Sequence, residues 1–194
     1  MKRQYTLAKR AETQAETRRR IVESTVALHQ EVGPAATQIA EVARRAGVQR
    51  QTVYKHFPAD TELFAACSAH WRNLHPMPDP QAWEQIADAG ERLRLGLSEV
   101  YAWYRETHSM TAKVLRDSPT MPALQPIINN GLLKYLDFLA GLLVEPFDTS
   151  GKRAVRIELA ARAAIDFHFW QLLEPFGDKE AANLGASLVE LAAR

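Results

Sequence analysis

Apolar residues along this chain recur at intervals of three and four, the period of an α-helix, and nowhere alternate long enough to make a strand. Over 37–46, Ile39, Val42, Ala43 and Ala46 keep that spacing behind Thr37, a residue type that can cap a helix. Gly47 ends this helix, because a glycine just past the last turn takes the left-handed conformation, and Val48 packs the corner. A second helix follows over 49–56, about 12 Å long at 1.5 Å per residue. Val53 and Phe57, four apart, are its inward anchors. Its other face carries Arg50, Gln51, Thr52, Lys55 and His56, side chains that hydrogen-bond base edges or phosphates. The pair reads as a helix-turn-helix with a second helix short enough to lie in a major groove. Two short helices around a glycine in an ordinary helical domain share the same outline.

The rest of the chain continues in helices. Residues 1–15 carry Lys2, Arg3, Lys9 and Arg10 without a sustained apolar face, and read as a flexible basic arm. The spacing predicts a first helix over 16–32, opened by Arg18, Arg19 and Arg20, striped by Ile21, Thr25, Leu28 and Val32, and ended by Gly33 and Pro34. A fourth helix is predicted over 60–75, with Leu63, Phe64, Cys67 and Trp71 on one side. The three prolines of HPMPDP, 75–80, then stop any helix. Further helices are predicted over 88–107, 108–117, 123–145, 152–174 and 178–193. This divides the chain into an arm, 1–15, a head, 16–58, and a larger body, 59–194.

Composition adds three points. Nine glycines, ten prolines and few β-branched runs leave strands little claim, so the fold is all-α. A lone Cys67, no leading signal segment and no apolar stretch of about 18 residues predict a cytoplasmic protein without disulfides or a membrane span. Cys67 is expected to be a buried filler on the fourth helix. The net charge of +1 hides an asymmetry: residues 1–57 hold eleven Lys and Arg against five acids, and the remainder thirteen against eighteen. A basic head on an acidic body fits a DNA-binding unit beside one that does not touch DNA.

From residue 20 to 63 the chain resembles the DNA-binding region of TetR-type repressors. The resemblance rests on Ile21, Val22, Gly33, Thr37, Val42, Ala43, Ala46, Gly47, Val48, Thr52, Val53, Tyr54, His56, Phe57 and Leu63. His29 stands where that family usually has Phe, and is expected to pack like an aromatic; Asp60 replaces a common phosphate-binding Lys, and is expected to cap the next helix. The resemblance implies a three-helix head followed by a ligand-binding and dimerisation domain, about nine to ten helices in all. It implies a homodimer on a palindromic double-stranded DNA operator, released by a small-molecule effector. Arg50 and Gln51 would then reach base edges, while Thr37, Thr52, Tyr54, Lys55 and His56 hold phosphates. The last two helices would pair with their copies in a four-helix bundle, through Val155, Leu159, Ala163, Phe167 and Trp170 on one, and Leu184, Leu188 and Leu191 beside the small residues Ala181, Ala182, Gly185 and Ala186 on the other.

Trp71, Trp103, Tyr104 and Phe138 are candidate walls of an effector pocket between the fourth helix and the long body helices, or else plain core. Asp166 and His168 interrupt the apolar run AAIDFHFW; they either bond a neighbouring helix or orient a ligand. No phosphate-cradling glycine loop, paired cysteines for zinc, HExxH or nucleophile elbow is present, so neither an enzyme, a metal site nor a cofactor is expected. Two other functions fit the same residues: a DNA-binding protein answering to a protein partner or to nothing, and a helical enzyme with a vestigial head.

Overall fold

The computed structural model describes residues 2–147 and 150–194, the side chains of 2–8 excepted. Every regular element among the described residues is helical, as the apolar spacing predicts. The chain divides into two compact units, Met1–Leu74 with Ser109–Ile128, and His75–His108 with Asn129–Arg194.

In the first unit α1 (Lys2–Val32), α2 (Ile39–Arg45), α3 (Arg50–His56) and α4 (Asp60–Leu74) enclose a core of Ile21, Val26, Leu28, Val42, Val53, Phe57, Leu63 and Cys67. Burial raises the Cys67 thiol to about 12, so it behaves as an inert filler. The expected flexible arm is instead the beginning of α1. Its polar residues are good helix formers with no glycine or proline among them, and they extend a helix already nucleated by its buried end. Arg19 ties Glu16 and Glu23 along it at 2.8 and 2.6 Å.

His29 is 5% exposed and stacks on Phe64 with ring centroids 5.7 Å apart. Burial lowers its pKa to about 4 against the opposing pull of Asp117. The folded value lies below the unfolded one, so acid favours the unfolded chain. Stability is full above about pH 6.5 and falls by about 3 kcal/mol as the pH drops toward 4. A His29→Phe variant is expected to lose this acid limb. The gap in Tm between parent and variant should open between about pH 7 and about pH 4.5; a gap that does not change with pH would contradict a neutral buried imidazole.

One 29-residue helix, α5 (Ala89–Asp117), replaces the two expected over 88–107 and 108–117; nothing between them breaks a helix. Its first part belongs to the second unit, and its last nine residues, with a 3-10 turn Ser118–Thr120 and the short α6 (Gln125–Ile128), belong to the first. The helix expected over 123–145 is interrupted by a π-turn, Asn129–Leu133, after which α7 (Lys134–Val144) resumes. The sequence Asn-Asn-Gly is poorly suited to an α-helix, and the extra residue of a π-turn shifts the register. The buried positions of α7 are therefore Leu136, Leu139, Ala140 and Leu143, where an unbroken stripe would have put Tyr135, Leu139 and Leu142. By length and composition the stretch Gln125–Phe147 passes for a membrane span, contrary to the expectation that none exists. Three of its leucines, Leu136, Leu139 and Leu143, nonetheless lie in the core of the second unit, where α7 packs on α8 (Gly151–Ile165).

The helix expected over 152–174 breaks at Asp166. There α8 ends and α9 (Phe167–Leu173) begins, followed by a 3-10 turn Glu174–Phe176 and by α10 (Asp178–Ala192). The Asp166 carboxylate accepts from the N–H groups of His168 (2.8 Å) and Phe169 (3.2 Å), an N-cap in the middle of the apolar run. The last carbonyls of α8 are satisfied from α5: Tyr101 donates to Ala164 O at 2.6 Å and Tyr104 to Ile165 O at 2.7 Å. Close approach is possible because α10 has a glycine there; a Cβ at Gly185 would lie 2.8 Å from Tyr101 Oη. The small residues Ala181, Ala182, Gly185 and Ala186 are thus buried within the chain and do not form an outer seam.

Candidate functional site

The corner of the helix-turn-helix is built as the sequence implies, with one correction. Gly47 has φ +64°, and Val48 N–H donates to Ala43 O at 2.9 Å across the turn. Thr37 is not the cap of α2. That position is Gln38, without a side-chain cap, while the Thr37 hydroxyl donates to Gly33 O at 2.8 Å and closes the preceding turn. Gly33, at φ +91°, sits against the end of α5. Asp117 Oδ2 accepts from Ala35 N–H at 3.0 Å, and the neighbouring Arg116 guanidinium and this N–H hold the carboxyl below the usual range, against the desolvation that raises it. On the other side of the corner Arg45 joins Glu31 of α1 to Glu41 of α2.

In α3, Val53 and the following Phe57 are 1% and 3% exposed and fix the rotation of the helix. Arg50, Gln51, Tyr54 and Lys55 then point to solvent, with Thr52 and His56 half-buried beside them and Thr37 half-buried at the corner. All seven candidate DNA contacts thus lie in the first unit, six of them on one short helix. Arg18 of α1 is a member of this site that residue types alone do not reveal. Its Nη1 donates to His56 O at 2.7 Å, and its guanidinium lies 3.9 Å from the centroid of the Phe57 ring. A cation at the carbonyl end of α3 suits the helix dipole and pins the helix. The clue is the phase of Arg18 on α1, eight residues after Arg10 and three before Ile21. Asp60 opens α4, where an acid is favourable near the first turn.

Of the six candidate effector contacts, Trp71 belongs to the first unit and five to the second, where Trp103 and Tyr104 are in ring contact at 5.5 Å and His168 meets Asp166 at 3.5 Å. Trp71 packs half-buried against the core of the first unit. In the second unit Trp103 is 8% exposed, its Nε1 donating to His75 O at 3.3 Å, and Tyr104 is fully buried at the end of α8. Phe138 is exposed on α7 beside Tyr135, and Asp166 and His168 are exposed at the α8–α9 break.

The candidate dimer residues split. Phe167 and Trp170 lie in the core with Tyr104, and the exposed His108 ring packs on them, as a cluster of ring contacts between 5.2 and 5.8 Å. Val155, Leu159 and Ala163 on α8, and Leu184, Leu188 and Leu191 on α10, are exposed.

Residues 21–67 match the family model of the bacterial regulatory proteins of the tetR family. Among solved structures, a protein described as a TetR-family transcriptional regulator from Mesorhizobium loti shares the fold with a TM-score of 0.61 at 18% identity, over 92% of this chain and 96% of that one. A transcriptional regulator from Rhodococcus sp. Rha1 gives 0.58 at 19%, over 90% and 96%. RolR, crystallised with resorcinol, gives 0.54 at 19%, over 95% and 96%. No curated protein is significantly similar in sequence. Residues 21–67 are therefore a tetR-family DNA-binding head, and the chain that carries them shares its fold with those structures.

Proposed function

We propose that this protein represses transcription as a homodimer. Two copies of α3 bind a palindromic operator, and a small, largely apolar effector releases them. The observation that carries the reading is the tetR-family head itself, with the outward face of α3 made of Arg50, Gln51, Thr52, Tyr54 and Lys55. The apolar side chains left outside on α8 and α10 support the dimer, and a DNA target supports a cytoplasmic location.

For the effector, the support lies in the second unit. Trp170 is 1% exposed, yet its Nε1 has no hydrogen-bond partner among the described residues. Buried donors are normally satisfied, which supports a ligand that brings an acceptor, such as a phenol or a carbonyl. His108 lies against the indole and meets Gln171 at 3.1 Å; this exposed pair is what such a ligand would displace. Resorcinol, the ligand crystallised with RolR, is of this chemical kind. A true effector raises Tm and lowers DNA affinity together.

The DNA part is tested by two variants. Arg50→Ala is expected to cost about 1–3 kcal/mol and to relax one operator position, whereas Lys55→Ala should weaken all sequences alike and reduce the salt slope by about one. Binding unchanged in both would overturn the assignment of α3.

A further inference from the structure

The first turns of α1 stand outside the packed head. From Lys9 to Glu16 every residue is exposed, so this stretch has no core of its own to rest on. At 100° per residue its side chains nevertheless sort into two halves. Glu12, Glu16, Arg19 and Glu23 share one, where Arg19 pairs with both Glu16 and Glu23. Lys9, Arg10, Thr13, Gln14, Thr17 and Arg18 share the other. With Thr52, Lys55 and His56 of α3, that second half lines an open cleft of about 850 Å³. Among the described residues no acidic side chain lines it, and the apolar residues of its lining are Ala11 and Ala15.

The chemistry of the cleft names its occupant. Cations and hydroxyls without a carboxylate suit a polyanion, and two alanines offer nothing to a lipid tail. From Lys9 to Arg18 the helix rises about 13 Å, the axial rise of about four phosphates of one DNA strand. One wall is α3, already directed at a groove. We propose that this cleft grips the sugar-phosphate backbone of duplex DNA beside the site that α3 reads. The inference rests on the reading of the head, and adds to it a contact that carries no sequence information. It also gives the bare turns of α1 a role, because an unpacked helix is marginal until something holds it.

The test is a salt titration of the full-length chain on a random-sequence duplex of about 40 base pairs, which needs no knowledge of the operator. Lys9→Gln with Arg10→Gln changes two exposed side chains and should leave the circular dichroism of the chain unaltered. The double variant is expected to lower the slope of log K against log salt by about two, and Lys55→Gln by about one. A double variant with the parent's slope, beside a Lys55→Gln that does lower it, would show the cleft empty of DNA while the reading of α3 stands. If neither changes the slope, that reading fails and the cleft with it. A parent that prefers duplex RNA at equal salt would assign the cleft to RNA and overturn the proposal.

Discussion

A Leu188→Glu variant is expected to run as a monomer on a sizing column and to lose tight binding to a palindromic site. The buried sides of α8 and α10 are occupied within the chain, by Ile157, Ala161 and Ala164 on one and Ala182, Gly185, Ala186 and Val189 on the other. Their outer sides remain apolar: Val155, Leu159, Leu184, Leu188 and Leu191 are between 37% and 64% exposed. Exposed apolar side chains grouped on two helices suit an interface, and a twofold mate would bury them as a four-helix seam. Leu188 would appear twice in such a seam, so the substitution places two unpaired charges in it. Even about 4 kcal/mol in total weakens association roughly a thousandfold. The monomer should keep its fold, because Leu188 is not needed by the core. It should lose specific binding, because two heads must reach half-sites about 34–36 Å apart. A monomeric parent, or a variant as dimeric as the parent, would refute the seam.

Arg92→Ala is expected to destabilise the second unit strongly. The side chain is 6% exposed, and its guanidinium donates to Ile86 O at 2.9 Å, Glu84 O at 3.1 Å, Leu142 O at 3.2 Å and Glu145 Oε2 at 3.1 Å. It thereby ties the start of α5 to the 3-10 turn Pro80–Gln85 and to the end of α7. The ion pair itself matters little, since Glu145 is largely exposed. The carbonyls left without a donor matter more, at about 1–3 kcal/mol each and less than additively. A loss of about 3 kcal/mol should lower Tm by roughly 6–12 °C in a chain of this size. Arg92→Lys should recover only part of it, because an ammonium lacks the planar fork. An alanine variant within about 1 kcal/mol of the parent would show these bonds replaced by water.

The head is legible in the sequence because its signals are local. Gly33 and Gly47 occupy positive φ, and the three-four spacing of Val42, Ala43 and Ala46 sets which side of α2 is buried. Val53 and Phe57 then decide by elimination which side of α3 faces outward. The arm is misread because an apolar face is the wrong criterion for it: helix formers and ion pairs suffice once Ile21 and its neighbours anchor the helix. The body is read correctly as helical but not in its breaks. A π-turn and an aspartate cap each occupy a residue or two inside long apolar runs, and neither changes the average pattern. Tyr104 and Trp103 look like pocket walls in sequence, since an aromatic at helical spacing serves core and cavity equally. Only the structure shows the Tyr104 hydroxyl spent on a carbonyl of α8. Asp166 and His168 owe their place to that same break.

The most direct test of the central claim is selection of fragments from total genomic DNA by the purified protein, followed by sequencing of what is retained. A TetR-type dimer should enrich a few fragments that share an inverted repeat, with half-site centres about one helical turn or a small multiple apart. It should release them in competition with the same repeat but not with scrambled DNA. Uniform retention of all fragments, or of none, would contradict the account.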